Sequence, residues 1–270
     1  KRSRMYTGSG ENENDDPYSE ENFPFRHAKE IPIGFARVRC ARITYVGELG
    51  YELHIPVEQA LHVYNEIIDI CNDKEESEFH GKFNGMLHGG LKALASLRLE
   101  KGYRDYGHDM DNTDTLIEMG LTFTCDFDKL NGFMGKDAVL KQKNNEQLKL
   151  KGLKRRLVNC FVPIAHDDPI NTNNPEHWVM LYHAEPIFRD GICVGDVRVG
   201  SYGHTLGGPI GLAHISPKQP EDGKGEFIVV NKKYITTGKW EVEINGVMRP
   251  LQLSLQPFYD PKNEKIKAIE

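Results

Sequence analysis

The chain has no apolar run near the roughly 18 residues that a membrane-crossing helix needs, and no charged-then-apolar leader of the secretory kind. Both absences point away from a membrane. It also lacks an excess of positive charge: 34 Lys and Arg stand against 40 Asp and Glu, a formal net charge of -6. Nucleic acid therefore finds no basic footprint here. The five cysteines, Cys40, Cys71, Cys125, Cys160 and Cys193, are odd in number and form no C-x-x-C pair, which argues against a disulfide framework and a zinc knuckle alike. Reduced thiols are the expectation. The eleven histidines include no H-E-x-x-H, so no metal site is assigned, and no G-x-S-x-G elbow marks a serine nucleophile. A starting methionine is missing too: Lys1 opens the sequence, and the natural start is expected upstream.

What is present is an ordinary globular composition, 39% hydrophobic and 27% charged over 270 residues, long enough for two modest domains. Residues 1–22 carry Gly8, Gly10, Glu11, Glu13, Asp15, Asp16 and Pro17 with almost nothing apolar, and read as a flexible acidic opening segment. From Phe23 the texture changes. Ala36, Val38 and Cys40, then Ile43 and Tyr45, alternate as a half-buried strand does. Gly47 and Gly50 bracket a turn, and residues 51–55 read as the returning strand of a hairpin. Pro56 precedes Ala60, Leu61, Tyr64, Ile67 and Ile68, whose spacing predicts a helix to about Cys71. A second helix is predicted over 87–101, with Leu91, Leu94, Ala95 and Leu97 inward and Gly102 as its stop. Strand pair plus helices make an α+β unit over 23–150.

After a short helix at 136–142, the polar stretch 141–151 reads as the boundary between domains. Residues 151–270 carry short runs at 157–162, 192–199, 227–230, 240–244 and 251–255, separated by Gly, Pro and Asn turns. That punctuation predicts a small β-barrel or sandwich.

Several motifs fall short of a site. Gly8-Ser9-Gly10 opens like a dinucleotide fingerprint without the third glycine, the strand before or the helix after. Gly207-Gly208-Pro209-Ile210-Gly211 reads as a tight β turn, since Pro209 removes a donor that a phosphate cradle would use. No FAD or NAD site is assigned to this chain. Asp109, Asp111 and Asp114 lack the glycine and closing glutamate of a calcium loop and read as a solvated acidic loop. What remains is residues 42–56, where two carboxylates and two phenols surround one glycine turn. Taken alone it is a decorated hairpin. Alternatively, Ile43, Tyr45, Tyr51 and Leu53 form an aromatic surface beside a carboxylate, suited to a flat heterocycle.

The run Tyr45-Val46-Gly47-Glu48-Leu49-Gly50-Tyr51-Glu52-Leu53-His54-Ile55-Pro56 resembles the Y-V-G-E-L-G-W-E-L-H-I-P run of sarcosine and dimethylglycine dehydrogenases. That run is itself a variant of one in the glycine-cleavage aminomethyltransferases. Ser96-Leu97-Arg98-Leu99-Glu100-Lys101-Gly102-Tyr103-Arg104, Gly135-Lys136-Asp137-Ala138 and the tail Pro257-Phe258-Tyr259-Asp260-Pro261-Lys262-Asn263 match in the same order, the tail favouring the sarcosine dehydrogenase branch. The resemblance covers about Asn22 to the last residue. It implies a partial aminomethyltransferase folate-binding domain, an antiparallel sheet with helices, followed by a C-terminal β-barrel of the same family.

The resemblance also implies that this region transfers a one-carbon unit to tetrahydrofolate, while an N-terminal half that this chain does not match oxidises a methylated amine on FAD. Partners would be folate, the amine and the flavin domain of the same parent chain, in the mitochondrial matrix. Glu52 matches the family glutamate that pairs with the pterin edge, and Tyr45 a tyrosine lining that pocket. Tyr103 and Arg98 lie in matching text as further folate-binding candidates, with a helix-surface ion pair as the other reading of Arg98. Glu48 reads as structural at the turn. Two departures matter: no segment here matches the stretch that carries the family acid beside the folate nitrogens, and Leu94 stands where glycine-cleavage members carry arginine. The alternatives are a non-catalytic member resembling the pyruvate dehydrogenase phosphatase regulatory subunit, and a free-standing aminomethyltransferase.

Overall fold

The computed structural model describes residues 18–72, 86–144, 153–164, 179–219 and 228–267. Most of the acidic opening segment, most of the polar stretch 141–151 and Phe227 lie outside the described residues. The chain divides into two compact units, residues 1–94 with 262–270, and residues 95–261.

The first unit is a three-stranded antiparallel sheet in the order β1-β2-β3: β1 (Ala28–Ile33), β2 (Ala36–Ala41) and β3 (Glu52–His54). Strict alternation in β2 sends Ala36, Val38 and Cys40 inward and leaves Arg37 and Arg39 exposed. Helix α1 (Ala60–Asn72), entered through a 3-10 turn at Val57–Gln59 behind Pro56, lays Val63 and Ile67 on that inward face. Ile31, Ile33, Leu53 and Ile55 complete the core. The sequence concealed β1 because Lys29, Glu30 and Pro32 interrupt its apolar residues; as an edge strand it tolerates the proline. The return strand also differs from expectation. The ladder ends at the pair Ala41↔Glu52, so Ile43 and Tyr45 lie in a ten-residue loop rather than a strand.

The second unit is a seven-stranded antiparallel sheet with the order β10-β4-β7-β6-β5-β8-β9. Its strands are β4 (Arg156–Phe161), β5 (Pro186–Arg189), β6 (Ile192–Gly203), β7 (Gly208–Ile215), β8 (Trp240–Ile244), β9 (Val247–Pro250) and β10 (Gln252–Ser254). The described residues also include the short helices α3 (Lys136–Asn144), α4 (Lys232–Thr236) and, in the first unit, α5 (Glu264–Lys267). All eight residues of β7 are buried, which corrects the tight-turn reading of the 207–211 glycine run. Only Gly207, with φ +75°, belongs to the turn. Gly208 and Gly211 are there for close packing, since a Cβ on Gly211 would collide with the Val199 carbonyl. On one face of the sheet Ala213 and Ile215 join the larger core with Val158, Val197 and Trp240. On the other, Ile210 and Leu212 pack with Leu99, Met119 and Leu157. Residues 228–230, expected as strand, form none.

Helix α2 (Leu91–Glu100) departs most from its predicted pattern. Leu91 is 83% exposed, and the last turn buries Ser96, Arg98, Leu99 and Glu100. Three of those four are polar, so apolar periodicity could not have found this face.

Candidate functional site

The loop from Arg42 to Tyr51 is shaped by a bend at Gly47 and by what its ends grip. Gly47 has φ +80°, a left-handed conformation that costs other residues about 1 kcal/mol or more, and its N–H donates to Thr44 Oγ1 at 3.1 Å. Beyond the loop, β3 alternates. Leu53 points into the core, so Glu52 and His54 project from the opposite face. The Glu52 side chain is 52% exposed, and among the described residues the imidazole of His54 approaches it with Nε2 at 4.0 Å. That distance is too long for a hydrogen bond, so the carboxylate keeps its acceptor sites. Beside it, on the same face of the sheet, Glu30, Arg37, Arg39, His54, Ile55 and Pro56 line a groove of about 760 Å³. Tyr45 is half-buried within the loop and its hydroxyl oxygen is enclosed. The structure thus puts Tyr45 inside the loop and Glu52 at its exit.

In the second unit, Arg98 and Tyr103 are brought together. The Arg98 guanidinium donates to both carboxylate oxygens of Asp109, at 2.7 and 3.1 Å, and to the Tyr103 carbonyl at 2.9 Å. Its side chain is 5% exposed and that of Asp109 is fully buried. The surface ion pair anticipated for Arg98 is therefore an internal one. Asp109 also accepts the Asp105 N–H at 2.8 Å, which corrects the reading of this aspartate as part of a solvated loop. Asp111 instead receives the N–H and hydroxyl of Thr113, and Asp114 pairs with Arg155 at 3.3 Å.

The rest of the Ser96-to-Arg104 run is similarly engaged. Ser96 Oγ donates to the Tyr202 carbonyl at 2.6 Å, and one Glu100 oxygen accepts the N–H groups of Thr205 and Leu206 at 2.8 and 3.0 Å. Lys101, fully buried, reaches the carbonyl and carboxylate of Asp260 at 2.6 and 3.0 Å. Gly102 ends the helix with φ +62°, and burial pushes the Arg104 guanidinium below its ordinary value. These contacts hold buried charge in place and order the 98–109 turn. Sequence reasoning missed Asp109 and Asp260 because their partners are side chains that no local pattern reveals. It also left Arg42 without a role and placed Tyr51 on an aromatic ligand surface, whereas the Tyr51 ring packs on Phe23. Among the described residues no group of three or more metal-ligating side chains converges. No helix among them is long and apolar enough to cross a membrane.

An α+β unit with an exposed carboxylate beside a glycine-turned loop, followed by an antiparallel sheet closed on two cores, defines a protein of the aminomethyltransferase fold class. The chain belongs to the glycine cleavage T-protein family: residues 11–129 match the GCVT N-terminal domain and residues 170–260 the glycine cleavage T-protein C-terminal barrel domain. It is 33% identical over 251 residues, 93% of the chain, to 25% of 4-methylaminobutanoate oxidase (formaldehyde-forming) of Paenarthrobacter nicotinovorans. It is 31% identical, over 93% of the chain, to 23% of the mitochondrial sarcosine dehydrogenase of Mus musculus. Similarity to the mitochondrial pyruvate dehydrogenase phosphatase regulatory subunit of Mus musculus is 30% over 92% of the chain and 26% of that protein. The chain thus spans about a quarter of the length of the curated relatives it matches. The fold is shared with aminomethyltransferase T of the Bartonella henselae glycine cleavage system, with a TM-score of 0.57 and 22% identity, over 88% of this chain and 53% of that one.

Proposed function

We propose that this chain is the folate-binding, one-carbon transfer portion of an N-methyl amine dehydrogenase. The observation that carries the reading is Glu52: a half-exposed carboxylate, fixed by the strand register at the exit of the Tyr45 loop, with no hydrogen bond of its own among the described residues. A reduced pterin presents adjacent N–H and NH₂ donors, and such a carboxylate accepts both in a bidentate pair. The residues fit the group. Tetrahydrofolate, when bound, supplies the amine that takes up the one-carbon unit and becomes 5,10-methylenetetrahydrofolate. Glu52 orients the pterin and Tyr45 forms part of its wall. Within the second unit, the buried Arg98–Asp109 pair sets where the Tyr103 backbone lies.

Enclosure of the folate amine beside the incoming carbon favours its capture over reaction with water, a proximity effect. Amine oxidation belongs in this reading to a flavin domain of the same parent chain, in the mitochondrial matrix. A non-catalytic regulatory role is the second reading, favoured by similarity to the phosphatase regulatory subunit over nearly the whole chain.

Substituting Glu52→Gln in the full-length protein leaves one acceptor and puts an amide NH₂ against a pterin donor. Charge-assisted hydrogen bonds contribute about 1.5–3 kcal/mol each, so tetrahydrofolate affinity measured by calorimetry is expected to fall by roughly tenfold to a hundredfold. Glu48→Gln, at the turn, serves as the control and should change little. Undiminished affinity in Glu52→Gln removes this residue from the site, and a wild-type protein that binds no folate favours the regulatory reading.

A further inference from the structure

The loop that carries Tyr45 begins and ends on the same piece of chain. At its start, Arg42 is 2% exposed. One terminal nitrogen donates to the carbonyls of Phe23 and Tyr18 at 2.7 and 3.2 Å. The other reaches the Lys267 carbonyl at 3.3 Å and the Glu20 carboxylate at 3.1 Å. Glu20 in turn accepts the Phe25 N–H at 3.3 Å, so the carboxylate bonds to the segment it belongs to as well as to the guanidinium. At the loop's exit, the Tyr51 ring stacks on Phe23 at 5.7 Å and 29° and meets Tyr18 edge-on at 6.2 Å. Lys29 lies over the rings of Phe23 and Tyr18 at 4.4 and 4.9 Å. Residues 18–25 therefore touch Arg42 through backbone carbonyls and the Glu20 carboxylate, and Tyr51 through aromatic faces and the Tyr18 carbonyl.

Between these two grips the loop carries local hydrogen bonds, Ile43 N–H to the Ala41 carbonyl and Gly47 N–H to Thr44 Oγ1. Sheet pairing stops at Ala41↔Glu52. A ten-residue loop held at one end by a ladder pair alone would sample many conformations. Fixing both flanks on a common segment narrows the conformations open to residues 43–50. A lysine at position 42 could not reproduce this, because one ammonium cannot fork between carbonyls on two sides as a planar guanidinium does. Nor would charge alone suffice at position 51, where the ring stacks on Phe23 and the hydroxyl donates to the Tyr18 carbonyl at 3.4 Å.

We propose that residues 18–25 form a clamp on the Tyr45 loop, and that Arg42 and Tyr51 are positioning residues for the folate wall without touching folate. The clamp stands on geometry; its consequence for the ligand rests on the function proposed above. Position 51 is also where the dehydrogenase run carries tryptophan, a larger ring able to stack in the same place.

The test pairs hydrogen exchange with tetrahydrofolate titration in the full-length protein, for Arg42→Lys, Tyr51→Ala and Tyr51→Trp. The clamp predicts amide exchange in residues 43–50 faster by about tenfold or more in the first two variants, with β2 unchanged, because loops open locally when their tethers go. Folate affinity should fall severalfold in the same two, and Tyr51→Trp should behave as wild type in both measurements. Unchanged exchange in residues 43–50 overturns the clamp. A loosened loop with undiminished folate affinity overturns the positioning role. Should the wild type bind no folate, the functional reading fails while the exchange result still decides the clamp.

Discussion

Asp109→Ala is expected to destabilise the second unit by about 3–5 kcal/mol, because it removes the carboxylate that holds the buried Arg98 guanidinium in a two-point ion pair. The expectation follows from burial: the Arg98 side chain is 5% exposed and that of Asp109 is fully buried, with a two-point pair at 2.7 and 3.1 Å. The value of the pair lies in its completeness rather than in net attraction, since removing two charges from water costs nearly as much as their mutual attraction returns. The double substitution Arg98→Met with Asp109→Leu should therefore recover much of the loss. It should not recover all of it. The Asp105 N–H and the Tyr103 carbonyl would each lose a partner, at about 1–3 kcal/mol for a buried polar group left unmade. Denaturant unfolding of the three variants, followed by a probe in the second unit, measures both expectations. A double variant no more stable than Asp109→Ala would contradict this account of the pair.

Gly200→Ala is expected to cost roughly 3 kcal/mol or more, at or above the upper end of what an inserted methyl group ordinarily does. A Cβ at this position collides with the backbone carbonyl, the carbonyl carbon and the Cβ of Leu181. Backbone cannot swing aside as a flexible side chain can. Either β6 or the segment at Leu181 must move, and Leu181 belongs to the larger core with Ile187, Val197 and Val242. Gly246→Ala is the contrast. Nothing lies near a Cβ there, and the cost should be confined to the positive φ of +76°, about 1 kcal/mol. Thermal unfolding of the two variants should show a much larger drop for Gly200→Ala.

How far the sequence discloses the molecule depends on where the deciding contacts lie. The extent of helix α1 is legible from Pro56 and the series Ala60 to Ile68, but its inward face is not fully so: Leu61 and Tyr64 of that series are exposed, and Val63, outside it, is the buried residue. Strand β2 is legible because its burial alternates residue by residue. The turns Asp190-Gly191 and Asn245-Gly246, whose four residues all have positive φ, are the strongest local hairpin signals in the second unit. They would have located β5 and β9. Strand β7 is misleading for a physical reason: its glycines serve close approach to β6 and to Phe161, yet two glycines beside a proline look like a turn. The buried polar run of α2 is opaque for another reason. Lys101 finds Asp260, and Glu100 finds Thr205 and Leu206, partners more than a hundred residues away whose pairing no local period encodes. Of the candidate site, the Tyr45-to-Pro56 run is recognisable because its residues are contiguous. What fixes its shape, the grip of Arg42 and Tyr51 on residues 18–25, appears only in three dimensions.

The central claim is that the hairpin ending at Glu52 forms a wall of a tetrahydrofolate site. A crystal structure of the full-length protein with bound tetrahydrofolate tests it most directly. The account predicts the Glu52 carboxylate in a two-point pair with the pterin N–H and NH₂ groups, at about 2.7–2.9 Å, with Tyr45 against the ring. A pterin bound away from residues 45–52, with Glu52 still facing solvent, would contradict it.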